Sequence, residues 1–222
     1  MDFIFMLTRD DRTVTDGLAL LDRIGDLGLG HIGFKDIGVD RETLKALARR
    51  IRDMGAISYL EIVSTTPADA RMSAQVAVEI GIDRLLGGTQ VEATLDIIGN
   101  SGIDYYPFPG FPVGHPTDLK GKADDIADHC RDFMAKGCAG ADLLAYRALE
   151  DDPLALVRAA REALGDGKLI VAGGIADVTQ IEALADAGAD AFTIGTAVFD
   201  GTFAEGGADV ATQLGHVMAA CA

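Results

Sequence analysis

Ala172-Gly173-Gly174-Ile175, followed one helix and one strand later by Ile194-Gly195-Thr196-Ala197, is the part of this sequence on which the fold turns. Each segment closes a short apolar run, over 169–171 and then 192–194, and each precedes a helical pattern. Glycine lets the backbone adopt conformations closed to other residues and approach a ligand closely. Amides left free at such strand ends suit a phosphate. In a barrel of eight strand–helix units this is the phosphate position after strands 7 and 8.

Working outward, a glycine precedes nearly every strand-like run: Gly30, Gly55, Gly81, Gly102, Gly140, Gly167 and Gly188. Each follows a helical pattern, where a left-handed glycine ends a helix. Four of them open Gly-x-Asp, at 81, 102, 140 and 188. The repeat is one strand plus one helix, which implies a parallel sheet. Strands are predicted over 3–7, 32–35, 57–63, 83–86, 104–106, 141–145, 169–171 and 191–194. Helices are predicted over 14–27, 41–54, 91–98, 123–136, 153–164, 178–187 and 209–220, with a further one entered through Thr65-Thr66-Pro67. This describes an α/β protein, a single (β/α)8 TIM barrel over 1–222 with a parallel eight-stranded barrel. An open doubly wound sheet is the competing arrangement. The segment 107–121 holds four of the six prolines and is expected to be an ordered loop after strand 5, serving either as a lid over the site or as rigid packing.

Composition narrows the function. With 222 residues, 49% of them hydrophobic, the chain can bury a large core. A net charge of −16 argues against nucleic acid or an anionic membrane as partner. It leaves room for a small phosphorylated metabolite bound by backbone amides. Asp2 and the polar Thr8-Arg9-Asp10-Asp11 bracket too short an apolar run for a secretory leader. No run reaches the ~20 apolar residues that span a bilayer. Three cysteines without a C-x-x-C pair fit reduced, inert thiols in a cytoplasmic protein. Self-association into a homo-oligomer is left open.

The runs Ile170-Val171-Ala172-Gly173-Gly174-Ile175 and Gly188-Ala189-Asp190-Ala191-Phe192-Thr193-Ile194-Gly195-Thr196-Ala197 resemble the ribulose-phosphate-binding barrel superfamily. That group includes isomerases of histidine and tryptophan biosynthesis, indole-glycerol-phosphate synthase and pentulose-phosphate epimerases. The resemblance implies a barrel active on phosphorylated carbohydrate, with Gly173, Gly174, Gly195 and Thr196 on the substrate phosphate. It stops short of an activity. The aspartates that end strands 1 and 5 in the histidine-pathway pair are replaced by Leu7-Thr8-Arg9 and Tyr105-Tyr106-Pro107, and the Asp-x-Lys-x-x-Asp of decarboxylase relatives is absent. A fold hosts many functions, so function is argued from the site. Gly87-Gly88-Thr89 repeats the local glycine chemistry and offers a second anion position.

Among the lysines, Lys35 alone ends a strand. Alternation puts Ile32 and Phe34 outward and Gly33 and Lys35 into the barrel; by the same reading Leu60 and Ile62 face out and Glu61 faces in. Lys35 and Glu61 on neighbouring strand ends form either an ion pair that closes the barrel mouth or an acid–base couple. A lysine brought near neutrality by burial could also form a Schiff base. Arg9, Tyr146 and Arg147 are further substrate-binding candidates, and His115 is one by way of the proline-rich loop. No cluster has metal-ligand spacing and no cofactor is expected, a lone Mg²⁺ on carboxylates aside. The expected activity is proton transfer beside a carbonyl, an isomerase or epimerase. A Schiff-base lyase or synthase through Lys35 is the alternative, and a non-catalytic phosphometabolite-binding barrel is the alternative of another class.

Overall fold

Strand and helix alternate along the chain as the glycine spacing predicts. The computed structural model describes residues 1–63, 66–114, 116–204 and 209–221. Its main strands are β1 Asp2–Met6, β2 His31–Lys35, β3 Ile57–Ile62, β4 Arg84–Gly87, β5 Asp104–Tyr106, β6 Gly140–Leu143, β7 Lys168–Val171 and β8 Ala191–Ile194. The longer helices between and after them are α1 Gly17–Ile24, α2 Arg41–Asp53, α3 Pro67–Ile80, α4 Val91–Ile98, α5 Ala123–Lys136, α6 Pro153–Leu164, α7 Val178–Asp186 and α8 Val210–Ala220, with a single turn Thr196–Phe199 after β8. Their starts are capped by side chains that satisfy otherwise free amides: Asp40, Thr66, Asp152, Asp177 and Asp209 each accept from a backbone N–H one turn on. Left-handed Gly81 and Gly137 stop α3 and α5.

Neighbouring strands pair in parallel in the order β6-β7-β8-β1-β2-β3-β4-β5. The ring is completed by backbone bonds from Ala139 N–H to Tyr105 O and from Asp142 N–H to Pro107 O, both 3.0 Å. That closure rules out the open doubly wound sheet. Two apolar layers result. Phe5, Ile32, Phe34, Leu60, Ile62, Leu85, Val171 and Phe192 pack outward under the helices. Ile4, Met6, Tyr59, Leu86, Tyr106, Ile170 and Ala191 fill the barrel.

The strand N-termini are shut by polar side chains. Lys168 Nζ lies 2.7 Å from Asp2, His31 Nδ1 is 2.9 Å from the Tyr59 hydroxyl, and Arg84 donates to that hydroxyl at 2.5 Å. The cavity opens at the other end. Gly33 is required by the filling beneath it, since a Cβ there would lie 2.5 Å from Met6 Sδ and 3.1 Å from Tyr59 Cβ. Gly33→Ala is therefore expected to destabilise the barrel by about 1–3 kcal/mol, the usual range for overpacking, read as a lowered urea midpoint with unchanged slope.

Two segments differ from expectation. The first strand stops at Met6 and α1 begins only at Gly17, because a hairpin of Thr8–Arg9 against Arg12–Thr13 intervenes. Its turn is made by Asp10 and Asp11 at φ 51° and 58°, a conformation that Asp tolerates better than most residues. The proline-rich segment is a second hairpin, Phe111–Val113 against Asp118–Lys120. Pro112 is accommodated because a two-stranded ribbon is all edge. Bonds from Gly110 N–H to His129 (2.9 Å), Leu149 N–H to Leu119 O (2.9 Å) and Gly121 N–H to Glu150 (3.0 Å) fasten its base to the body. Among the described residues, no helix is long and apolar enough to cross a membrane.

Candidate active site

The β2–β3 register sets Lys35 directly beside Glu61. Lys35 is 7% exposed, and its Nζ lies 3.0 Å from Glu61 and 2.9 Å from Asp11. Burial opposes the ammonium, but Glu61 and Asp11 outweigh it and the lysine pKa is raised. The resting lysine is therefore a charged donor. That differs from the near-neutral amine that burial alone would produce.

Asp11 comes from the first hairpin, which β2 holds in place: the Thr13 hydroxyl accepts from Lys35 N–H and donates to Lys35 O, both at 2.8 Å. Arg147, in the short turn Ala145–Arg147 after β6, grips Asp11 in a two-pronged pair with both contacts at 3.1 Å. Burial pushes the Asp11 carboxyl up, but Arg147 and Lys35 prevail and hold it well below the ordinary carboxylate range. Stability from this carboxylate is thus complete above its unfolded value of 3.8 and is lost as pH falls below it. Acid unfolding of wild type and Asp11→Asn, followed by near-ultraviolet circular dichroism, should show a gap near neutrality that closes in that acid window.

The opposite wall is the glycine pair. Gly173 and Gly174 both have φ 76°. A Cβ on Gly173 would lie 2.5 Å from Arg147 Nε, and one on Gly174 would lie 2.9 Å from Tyr146 Cβ. A Cβ on Gly195 would strike the Thr8 hydroxyl. Among the described residues, the amides of Gly173, Gly174, Ile175, Gly195, Thr196 and Ala197 donate no hydrogen bond. All six residues line one cavity of about 270 Å³ that also contains Lys35, Glu61, Asp11 and Arg147. The Thr196 hydroxyl accepts from Asp10 N–H at 3.2 Å and ties the glycine wall to the hairpin.

The remaining sequence candidates fall elsewhere. Arg9 does not itself line the cavity; it makes an exposed pair at 2.8 Å with Asp200, which does. Gly87 and Gly88 turn tightly against Phe108 and Tyr105 and do not line the cavity. Tyr146 packs behind Gly174, its hydroxyl 3.4 Å from Gln180 O. His115 lies outside the described residues. Asp36 faces away from the cavity and holds the β3–α3 turn, accepting from Val63 N–H at 3.2 Å and from the Ser73 hydroxyl. Among the described residues, no group of three or more His, Cys, Asp or Glu could hold a metal ion. Burial pushes the Cys130 and Cys138 thiols up to about 12 and 11, which leaves neither a nucleophile.

Sequence reasoning missed Asp11, Asp142, Phe108, Thr117 and Thr193. Asp11 was visible as part of a polar run, but its reach depended on the hairpin. Asp142 belongs to the Gly-x-Asp repeat, where Asp83 and Asp190 accept from the backbone N–H of Ser58 and Leu169 on the preceding strand. β6 begins at Gly140 itself, so its aspartate falls inside the strand.

No family model and no curated protein sequence matches the chain. Solved structures do. The native KDPGal structure superposes with a TM-score of 0.69 at 13% identity, covering 100% of this chain and 94% of that one. Orotidine 5′-phosphate decarboxylase from Pyrococcus horikoshii OT3 gives 0.67 at 12%, covering 97% and 99%. What is shared is the (β/α)8 fold. A cube-shaped protein cage designed by fusing symmetric oligomeric domains also contains it, at 0.69 and 13% identity, covering 99% of this chain and 72% of that one. At these identities the barrel and its strand order carry over, and the roles of individual residues are argued from this site.

Proposed function

We propose that the protein is an enzyme acting on the carbonyl end of a small phosphorylated sugar or keto acid. The observation that carries this reading is a single cavity with two chemically opposite walls. One is lined by Gly173–Ile175 and Gly195–Ala197, whose amides donate no hydrogen bond among the described residues; the other holds an ammonium, Lys35, between two carboxylates. Free amides at strand ends favour a phosphate. A phosphorylated compound also appears in the name of the orotidine 5′-phosphate decarboxylase that shares this fold.

With the phosphate on the glycine wall, the rest of the substrate extends toward Lys35. Glu61 takes a proton from the carbon beside the carbonyl, and the electron pair of that C–H bond moves through the carbon to the carbonyl oxygen. The Lys35 ammonium donates to the oxyanion that forms. Return of the proton from Glu61 to the former carbonyl carbon, while the hydroxyl on the first carbon passes its proton to the oxyanion, moves the carbonyl. Inversion at the first carbon instead requires a second acid to reprotonate it on its opposite face. Asp11 and Arg147 hold Lys35 in place. The raised lysine pKa favours this proton-transfer reading.

A Schiff-base lyase or synthase is the second reading, and one contact favours it: Glu61 lies 3.0 Å from Lys35 Nζ, within reach to remove the ammonium proton before the amine attacks. Borohydride added during turnover separates the two. A reduced adduct on Lys35, found by mass spectrometry, establishes the imine; active substrate without an adduct establishes proton transfer.

A further inference from the structure

Asp142 stands within β6, opposite Ile170 of β7 in the register, and that position faces the barrel interior. It is fully buried, and neither carboxyl oxygen has a hydrogen-bond partner among the described residues. The inward side chains of the other strands around it include Met6, Leu86 and Ile170, none of which carries charge. The charged groups close enough to act on it are Glu61 on β3 and Lys35 on β2. Tyr106 on β5 also titrates, but its charge interactions run to Arg84, Asp104 and Asp190. Above Asp142 the ions already balance, with Lys35 and Arg147 against Asp11 and Glu61. An ionised Asp142 would add a third anion without a donor, a state that buried acids avoid by keeping the proton.

We propose that Asp142 is held as a neutral carboxylic acid beneath the Lys35–Glu61 pair and thereby keeps Glu61 as the ionised, proton-accepting member of a two-carboxyl site. Burial and the Glu61 charge both act to raise Asp142, with Lys35 opposing them. With Lys35 and Arg147 already matched by Asp11 and Glu61, a further carboxyl near Glu61 keeps its proton. Glu61 lines the cavity and Asp142 does not, so the proton rests on the buried member and the base faces the substrate. Asp142 is a positioning residue: it acts through Glu61 and touches no substrate. Its ionisation at alkaline pH releases that proton and adds a second carboxylate that competes with Glu61 and with the developing oxyanion for the Lys35 ammonium. This inference rests on Lys35 and Glu61 forming the reacting end, but its first two tests need no turnover.

Asp142→Asn keeps the shape and the neutrality and removes the titration. In urea unfolding at a series of pH values, wild type should lose stability relative to the variant as pH rises above 3.8, the unfolded value. The slope approaches tenfold in the unfolding constant per pH unit, one proton's worth, and ends where folded Asp142 ionises. Parallel curves overturn the proposal. Because the slope is read, a constant offset from the buried amide does not matter. Carbon-13 carboxyl spectra of the wild type provide a check that does not depend on the variant folding: at neutral pH the Asp142 resonance should sit at the protonated position, and a carboxylate resonance overturns the proposal. With a substrate that turns over, the variant should lose the alkaline limb of the kcat/KM profile and keep the acid limb. An unchanged alkaline limb contradicts the positioning role, and loss of turnover in Lys35→Met tests the reacting end separately.

Discussion

Lys35→Met is expected to cut turnover by on the order of 10²–10³, the usual cost of removing one preorganised donor to a developing oxyanion, and to destabilise the barrel as well. The lysine is the cation between Asp11 and Glu61, whose side chains are each 9% exposed. Without it Asp11 keeps Arg147, but Glu61 loses its only ion-pair partner among the described residues. Removing one member of a buried pair typically costs about 3–5 kcal/mol because the other charge stays buried. Urea unfolding reads that loss directly. Adding Glu61→Gln to Lys35→Met should restore part of the stability and none of the turnover. A Lys35→Met protein as stable as wild type would mean that the pair is solvated and the site is not built as described.

Gly173→Ala is expected to damage both walls of the cavity through one methyl group. The backbone there is left-handed at φ 76°, which costs a residue bearing a Cβ about 1–2 kcal/mol. The added carbon also meets Arg147 Nε at 2.5 Å and displaces the guanidinium that holds Asp11. Calorimetric titration with inorganic phosphate should show at least a tenfold loss of affinity, which corresponds to about 1.4 kcal/mol. Gly88→Ala is the control. It has nearly the same backbone angle, φ 72°, but lies outside the cavity, so it should lower stability and leave phosphate affinity unchanged. Equal affinity in wild type and Gly173→Ala would remove the phosphate from this wall.

The barrel was legible because each strand–helix unit carries its own punctuation, with helix-ending glycines such as Gly81 and a capping residue at the next helix start. Strand alternation placed Lys35 and Glu61 inward side by side, since a period of two in a parallel pair leaves little freedom once Phe34 and Leu60 are assigned outward. The partners of Lys35 were less legible. Asp11 reaches it only because Asp10 and Asp11 adopt positive φ and fold the chain back over β2, a tertiary outcome that a polar run does not reveal. Arg147 appeared as a substrate ligand, but in the resting site its charge is taken by Asp11. Arg9 likewise has a partner that the sequence does not reveal, Asp200 at the cavity rim. Asp142 was hidden by its motif, because the chain enters β6 earlier than it enters the other Gly-x-Asp strands.

The central claim is that one cavity binds a phosphate on the glycine wall and performs carbonyl chemistry at Lys35. Its most direct test is a thermal-shift screen of phosphorylated sugars and keto acids, with each hit assayed for turnover in wild type and in Lys35→Met. A ligand at about a hundred times its Kd stabilises by about 2.7 kcal/mol, enough to move Tm by several degrees. The account predicts a hit that wild type converts and that Lys35→Met binds without converting. Hits that bind both proteins equally and are converted by neither would contradict it.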